Sequence, residues 1–415
     1  MSAMYYPNYL LDYSCKLGKC RRTCCARNEW SIVLSSEEYE RARKTVACDA
    51  RLDELAAWLV APSGDTGEGG VAARPDGLCS FLSPEGTCTW HTLTGEDVCS
   101  DCREFPYLRL RVFDDEYAYP SGACEAVLES LLRGGEDVAL RAGDAAGAPD
   151  EPGRPYQLAV TDANASRDSI YGAYREFVDL GLAVLQNRRY RLDERVVILV
   201  SCLNMVDTML GMGATARLGA TIQAMLEPRR IEPMLDGYAR DTRGEDPVPR
   251  ACGEMYLSCL SSEAYGEVAR RVLDGMGLAA VKPNRYARPV LRTVDAARLD
   301  ERKRLHADFL RQKEDFLAKV MASVYLHGMV PIANPSVWSC TKYFALCYAL
   351  IKCGIMGYFD HTPTDEELVD LLVVLLRAFT HNEGLYRNAL AWMDGVHLDD
   401  VRDVVKLSLN TSSPR

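Results

Sequence analysis

The 415-residue chain reads as an α+β protein, predominantly α, in which a small cysteine-rich, metal-stabilised N-terminal domain with short hairpins precedes a larger helical domain. Three observations predict this. Cys15, Cys20, Cys24 and Cys25 place four thiols within eleven positions, a density that packing alone does not require. Beyond about residue 156 the apolar residues recur at helical rather than strand spacing. Between these regions, residues 141–155 are rich in Gly, Ala, Pro and Asp and read as a linker. The expected division is a cysteine-rich domain at 1–140, a helical domain at 156–408 and a disordered tail at 409–415.

In chain order, Tyr5 to Tyr13 reads as a short extended or irregular entry. The thiol cluster follows, then a strand over Trp30 to Leu34. Ser35-Ser-Glu-Glu38 has capping-box spacing, so a helix should run from Glu37 to Val46 with Tyr39, Ala42 and Val46 on one face. Cys48 falls at its end and is expected to be a packed thiol. A second helix is expected over Leu52 to Leu59, and residues 64–70 read as a loop. Cys79 and Cys88 bracket a hairpin whose turn is Pro84-Glu-Gly86. Thr94 to Asp97 should open a helical turn carrying Cys99 and Cys102, ended by Phe105-Pro106; Cys-x-x-Cys on such a turn is a specific metal spacing. Tyr107 to Phe113 and Tyr117 to Tyr119 alternate around Asp114-Asp-Glu116 as a second hairpin. Cys124 then starts a helix carrying Val127, Leu128, Leu131 and Leu132, where backbone N–H groups and the helix dipole favour a thiolate.

The second half predicts helices through Ile170 to Val184, Arg191 to Leu210 and on to Met225, with further helical periodicity over Glu254 to Met276 and Ala297 to His327. Pro331 to Pro335 interrupts the chain before a buried helix from Ser336 to Cys353, whose Cys340, Cys347 and Cys353 read as small core residues. Thr364-Asp-Glu-Glu367 is another capping box, opening a helix that ends at His381-Asn382. Gly211-Met-Gly213 lacks the strand and acidic residue of a nucleotide loop and reads as a helix end.

A net charge of −11 argues against a nucleic-acid partner, because phosphate contacts need clustered Lys and Arg. The longest apolar runs are interrupted by Asn204, Asp207 and Lys352, so no membrane span is expected. The start of the chain shows no signal peptide, and a cytoplasmic location is expected. Without an export signal the cysteines are not read as a disulfide framework. His91 is the one histidine in the region, which makes the expected metal site all or nearly all thiolate.

The order Cys15, Cys20, Cys24-Cys25, Trp30, Cys79-Ser-Phe-Leu, Cys88, Cys102-Arg-Glu-Phe-Pro106 and Cys124 resembles the cysteine-rich family of metal-chelating proteins that includes flagellin lysine N-methylases. Tyr343 to Lys352 and Arg377-Ala-Phe-Thr-His-Asn382 resemble the helical half of those methylases. The resemblance implies a methyltransferase that moves a methyl group from S-adenosylmethionine to lysine side-chain amines of flagellin, its protein partner. It also implies an iron–sulfur cluster of the four-iron type, with zinc as the alternative. The ligand candidates it carries over are Cys15, Cys20, Cys24, Cys25, Cys79, Cys88, Cys102 and Cys124, with Cys99 lacking a clear counterpart. Arg27 stands where radical chemistry would want a third cysteine, so polar methyl transfer is expected. His381 and Asn382 are candidates for holding cofactor or substrate, against a capping or core role. The competing reading is a non-catalytic iron or zinc chelating module.

Overall fold

The structure is a computed structural model. It describes residues 4–16, 18–25, 32–63, 68–143, 158–167, 169–214, 218–241, 247–282, 289–328, 336–396 and 398–409. Seventeen α-helices and three small sheets among these residues make the fold α+β and predominantly α, as the periodicity predicts.

A five-stranded sheet runs in the order Leu140–Ala142, Met4–Pro7, Asp115–Pro120, Tyr107–Val112, Leu158–Val160. Its centre is the expected hairpin, Tyr107–Val112 with Asp115–Pro120. The flanking strands come from far along the chain. Met4–Pro7 lies parallel to Asp115–Pro120, and Leu158–Val160 parallel to Tyr107–Val112. The strand Leu140–Ala142 runs into the start of the expected linker, whose residues 144–155 lie outside the described residues.

Most apolar residues of this sheet join one continuous core with the helices. At its centre stands Val337–Tyr358, nearly every residue of which is buried, including Cys340, Cys347 and Cys353. It packs against Leu192–Gly211, Gly266–Gly275 and Val401–Leu409. Gly275 meets Gly357 backbone to backbone, so closely that a Cβ on Gly275 would sit 2.0 Å from the Gly357 carbonyl oxygen. Both expected capping boxes are formed, at Ser35 with Glu38 and at Thr364 with Glu367, because each is decided within four residues.

A second, smaller core belongs to residues 32–99. It gathers Ile32, Leu34, Val46, Leu55, Val71 and Val98 around a stacked Phe81–Trp90 pair with centroids 5.6 Å apart. Here the structure corrects several expectations. The helix Ser36–Cys48 places Cys48 in solvent, since the buried face falls on Ala42 and Val46. Leu52 to Leu59 is not one helix: Asp53–Ala56 makes a single turn, and Leu59–Ser63 is a strand that pairs with Glu68–Val71 where a loop was expected. The Cys79–Cys88 segment has its turn, with Ser83 N donating to Thr87 O at 2.8 Å, but its hairpin is reduced to one bridge between Leu82 and Cys88. The single turn expected from Thr94 is instead two short helices, Thr89–Thr94 and Ser100–Glu104, parted where Gly95 turns left-handed with φ 75°. Trp30, Pro331 to Pro335 and 410–415 lie outside the described residues.

Candidate functional site

None of the sixteen cysteines forms a disulfide, and the N-terminal ones other than Cys48 gather in two places. Cys99 and Cys102 bring their sulfurs to 3.4 Å at the start of Ser100–Glu104. The Cys99 hydrogen bond, desolvation and the nearby Cys88 and Cys79 all push the Cys102 thiol far up. Cys88 is raised by burial and feels Cys25, whose carbonyl oxygen accepts from Cys79 N at 2.8 Å. Cys25, Cys79, Cys88, Cys99 and Cys102 therefore form one gathering. Cys99, which family likeness leaves without a counterpart, sits in its midst, and the Cys-x-x-Cys spacing is the signal that marks it.

The other gathering holds Cys15, Cys20, Cys24 and Cys124. Burial, then Glu125 and Cys124, push Cys20 up to about 12. Cys24 is raised by its hydrogen bond with Cys25 and by burial, and it lies close enough to Cys124 and Arg377 to feel both. Cys124 occupies the N-cap of Glu125–Arg133; burial raises its pKa, while the N–H groups of Val127 and Ala126 pull the other way, as expected of a sulfur at a helix start. Adjacent Cys24 and Cys25, joined by that hydrogen bond, are where the two gatherings meet. No three His, Cys, Asp or Glu side chains among the described residues converge into a finished ligand set, so the sulfurs gather without closing on one point. Their chemistry nevertheless suits a thiophilic metal. Closely spaced sulfurs resist ionisation, and a bound cation would supply the opposing charge.

One arginine joins these thiols to the helical body. Arg377, 1% exposed in the helix Asp365–Thr380, donates from Nε to Ala123 O at 3.1 Å, from Nη1 to Thr23 O at 3.1 Å and from Nη2 to Arg22 O at 2.8 Å. Nearby, Arg21 Nε donates to Asp370 Oδ1 at 2.8 Å, and buried Glu125 pairs with Lys16 at 2.5 Å and accepts from Arg22 N.

One turn beyond Arg377, at the end of the same helix, His381 Nε2 lies 2.7 Å from Ser121 Oγ. Its ring stands 4.9 Å from that of His327 and 6.1 Å from that of Phe105. The sequence gives Ser121 and His327 no functional role, since residues 121, 327 and 381 meet only in the fold. Asn382 serves as a helix cap, its side chain accepting from Leu385 N at 2.9 Å.

A mostly helical body clamped onto a thiol-rich region defines the class of this protein: a helical protein with a clustered-cysteine lobe. The model of the FliB lysine N-methylase C-terminal domain matches residues 179–407, more than half of the chain, and the protein belongs to that family. No curated protein and no solved structure matches the chain. No helix among the described residues is long and apolar enough to cross a membrane.

Proposed function

We propose that the protein transfers a methyl group from S-adenosylmethionine to lysine side-chain amines of flagellin. We propose further that its N-terminal thiols hold iron–sulfur of the four-iron type, with zinc as the alternative occupant. The observation that supports this reading most is the lysine N-methylase domain match over the helical body. Cys15, Cys20, Cys24 and Cys124 would serve one metal group, and Cys25, Cys79, Cys88 and Cys102, with Cys99 beside them, another. Nine sulfurs exceed the four that a single cubane takes. When bound, such groups would tie together loops whose own apolar core is small.

The residues of the chain have two tasks in this reaction. Arg377 fixes the thiol loop against the methylase half, and a surface at that junction must hold the lysine in line behind the sulfonium methyl. Such placement supplies about 7–11 kcal/mol in favourable cases. The lysine must also arrive as its free amine, although an unperturbed lysine has a pKa of about 10.4.

The test is anaerobic purification followed by visible absorption, S-adenosylmethionine titration and mass analysis of flagellin lysines on the same sample. Broad absorption in the blue, saturable cofactor binding and a methyl mass increment are expected. A colourless zinc protein that still methylates would move the metal assignment to zinc. A metal-loaded protein that ignores S-adenosylmethionine and leaves flagellin unchanged would overturn the enzyme reading in favour of a chelating module.

A further inference from the structure

The loop that carries Cys15, Cys20 and Cys24 is tied to the helix after Cys124 through one carboxylate. Glu125 is the first residue of Glu125–Arg133, where a negative charge suits the N–H groups of the helix start, and it is 1% exposed. Its Oε1 accepts from Lys16 Nζ at 2.5 Å and lies 3.8 Å from Arg21 Nη1, and its Oε2 accepts from Arg22 N at 2.8 Å. Lys16 directly follows Cys15, Arg21 directly follows Cys20, Arg22 stands two positions before Cys24, and Glu125 itself follows Cys124. Each cysteine of this gathering therefore lies within two positions of a group in the network. The Arg22 peptide is also held from its other side. Its carbonyl oxygen accepts from Arg377 Nη2 at 2.8 Å, while Arg377 Nε donates to Ala123 O at 3.1 Å. Glu129, one turn along the helix, meets the side-chain cations of Lys16 at 2.9 Å and Arg21 at 3.6 Å.

We propose that Glu125 is the positioning residue of the Cys15, Cys20, Cys24 and Cys124 gathering, holding the loop of the first three sulfurs beside the fourth so that a thiophilic metal closes a loop already in place. The assignment rests on the reading of these thiols as a metal site. Zinc and a four-iron cubane alike take four sulfurs on one centre, and ordering a free loop to supply them costs about 1–2 kcal/mol per residue. Bonds that the fold itself makes to the loop, from Glu125 on one side and Arg377 on the other, remove part of that cost from the metal-binding step. Placement, and not charge, is what the carboxylate contributes. Glu125 is anionic and pushes the Cys20 thiol up, against the thiolate that a metal takes, whereas Lys16 pulls it the other way. For Glu125 to help the metal, its bonds to Lys16 and Arg22 must outweigh that repulsion.

The test uses the anaerobically purified, metal-loaded full-length protein, challenged with excess EDTA while the release of iron or zinc is followed in time. C20S identifies the metal of this gathering as the portion that the variant loses. E125A removes every bond of the carboxylate and should release that portion roughly tenfold faster than the unaltered chain, in the range found for outer partners of metal ligands. E125Q keeps an oxygen for Arg22 N and should fall between the two, and E129Q should stay closer to the unaltered chain than E125Q does. Metal on Cys79, Cys88, Cys99 and Cys102 should leave at an unchanged rate in all three variants, a distinction that a general loss of stability would erase. Equal release from E125A and the unaltered chain overturns the proposal. So does slower release from E125Q, the result expected if the charge of Glu125 outweighs its bonds. Should E125A melt early, E125Q against E129Q decides the matter, and equal rates for those two overturn the proposal. If C20S leaves the metal content unchanged, the metal reading of this gathering falls together with the proposal. A metal lost in C20S but indifferent to Glu125 overturns the positioning role and leaves that reading standing.

Discussion

The core that holds Phe81 and Trp90 has thirteen buried apolar side chains among the described residues, two of them cysteines, whereas the core around Val337–Tyr358 runs through helix after helix. The helical body obtains its stability from apolar area, which is non-directional and proportional to what is removed from water. The thiol-rich region has little of that area and relies on directional contacts: the Arg377 bonds, the Glu38 cap, and a meeting of Gly18 with Gly86. The lesson is that substitutions of similar chemical size should act locally and sharply in the first region, while the body spreads their cost over a large core.

The comparison breaks most directly at Arg377. R377M leaves three backbone carbonyls without their donor and should cost about 3–5 kcal/mol, in the range for breaking a buried charged network. Calorimetry should resolve an early transition for the thiol-rich region ahead of the body; one unchanged transition would refute the clamp. Within the body, Lys352 Nζ pairs with Asp193 Oδ1 at 2.5 Å, the two residues being 5% and 6% exposed. K352M alone should cost about 2 kcal/mol by removing the buried cation beside a carboxylate that keeps the Tyr348 hydroxyl and Arg191, and adding D193L should recover part of it, as read from urea midpoints. If the pair costs as much as the single change, the ion pair is itself stabilising.

A smaller effect sharpens the contrast. Gly86 has φ +83° and a Cβ there would lie 2.6 Å from Gly18 O, so G86A strains the backbone and separates the thiol loop from the Ser83–Thr87 turn. A loss of about 2 kcal/mol confined to the early transition is expected, with lowered metal content by elemental analysis. The mildest test is acid. Desolvation would raise the Glu38 carboxyl, but the N–H groups of Ser35 and Ser100 outweigh it and hold the pKa below its ordinary value. Its contribution is therefore complete above the unfolded carboxylate range and is lost as pH falls through the lower folded value. The early transition should drop on acidification, and E38Q should flatten that part of the pH profile.

What was legible from sequence follows the same divide between local and distant causes. The capping boxes, the Tyr107–Pro120 hairpin and the buried helix with Cys340, Cys347 and Cys353 were readable because neighbours a few residues apart decide them. Periodicity merged Val248–Cys259 with Gly266–Gly275, and Ala296–Gln312 with Glu314–Gly328, because their short connections leave the apolar spacing nearly unbroken. Met4–Pro7 and Leu158–Val160 were not readable as partners of the hairpin, since parallel pairing over such separations leaves no local mark. For the site, clustered thiols were visible, but their partition was not, and neither was the meeting of Ser121 with His381 across 260 positions.

Cys24 and Cys25 are consecutive and share a hydrogen bond, and Cys24 also lies within reach of Cys124 while Cys25 lies within reach of Cys79 and Cys88. A single peptide unit is therefore shared by both thiol gatherings. An insertion or deletion at that point would shift the register of both at once, whereas added length in an outer turn would disturb neither. Among chains of this architecture, length variation should avoid this dipeptide, which acts as a ruler between the two gatherings.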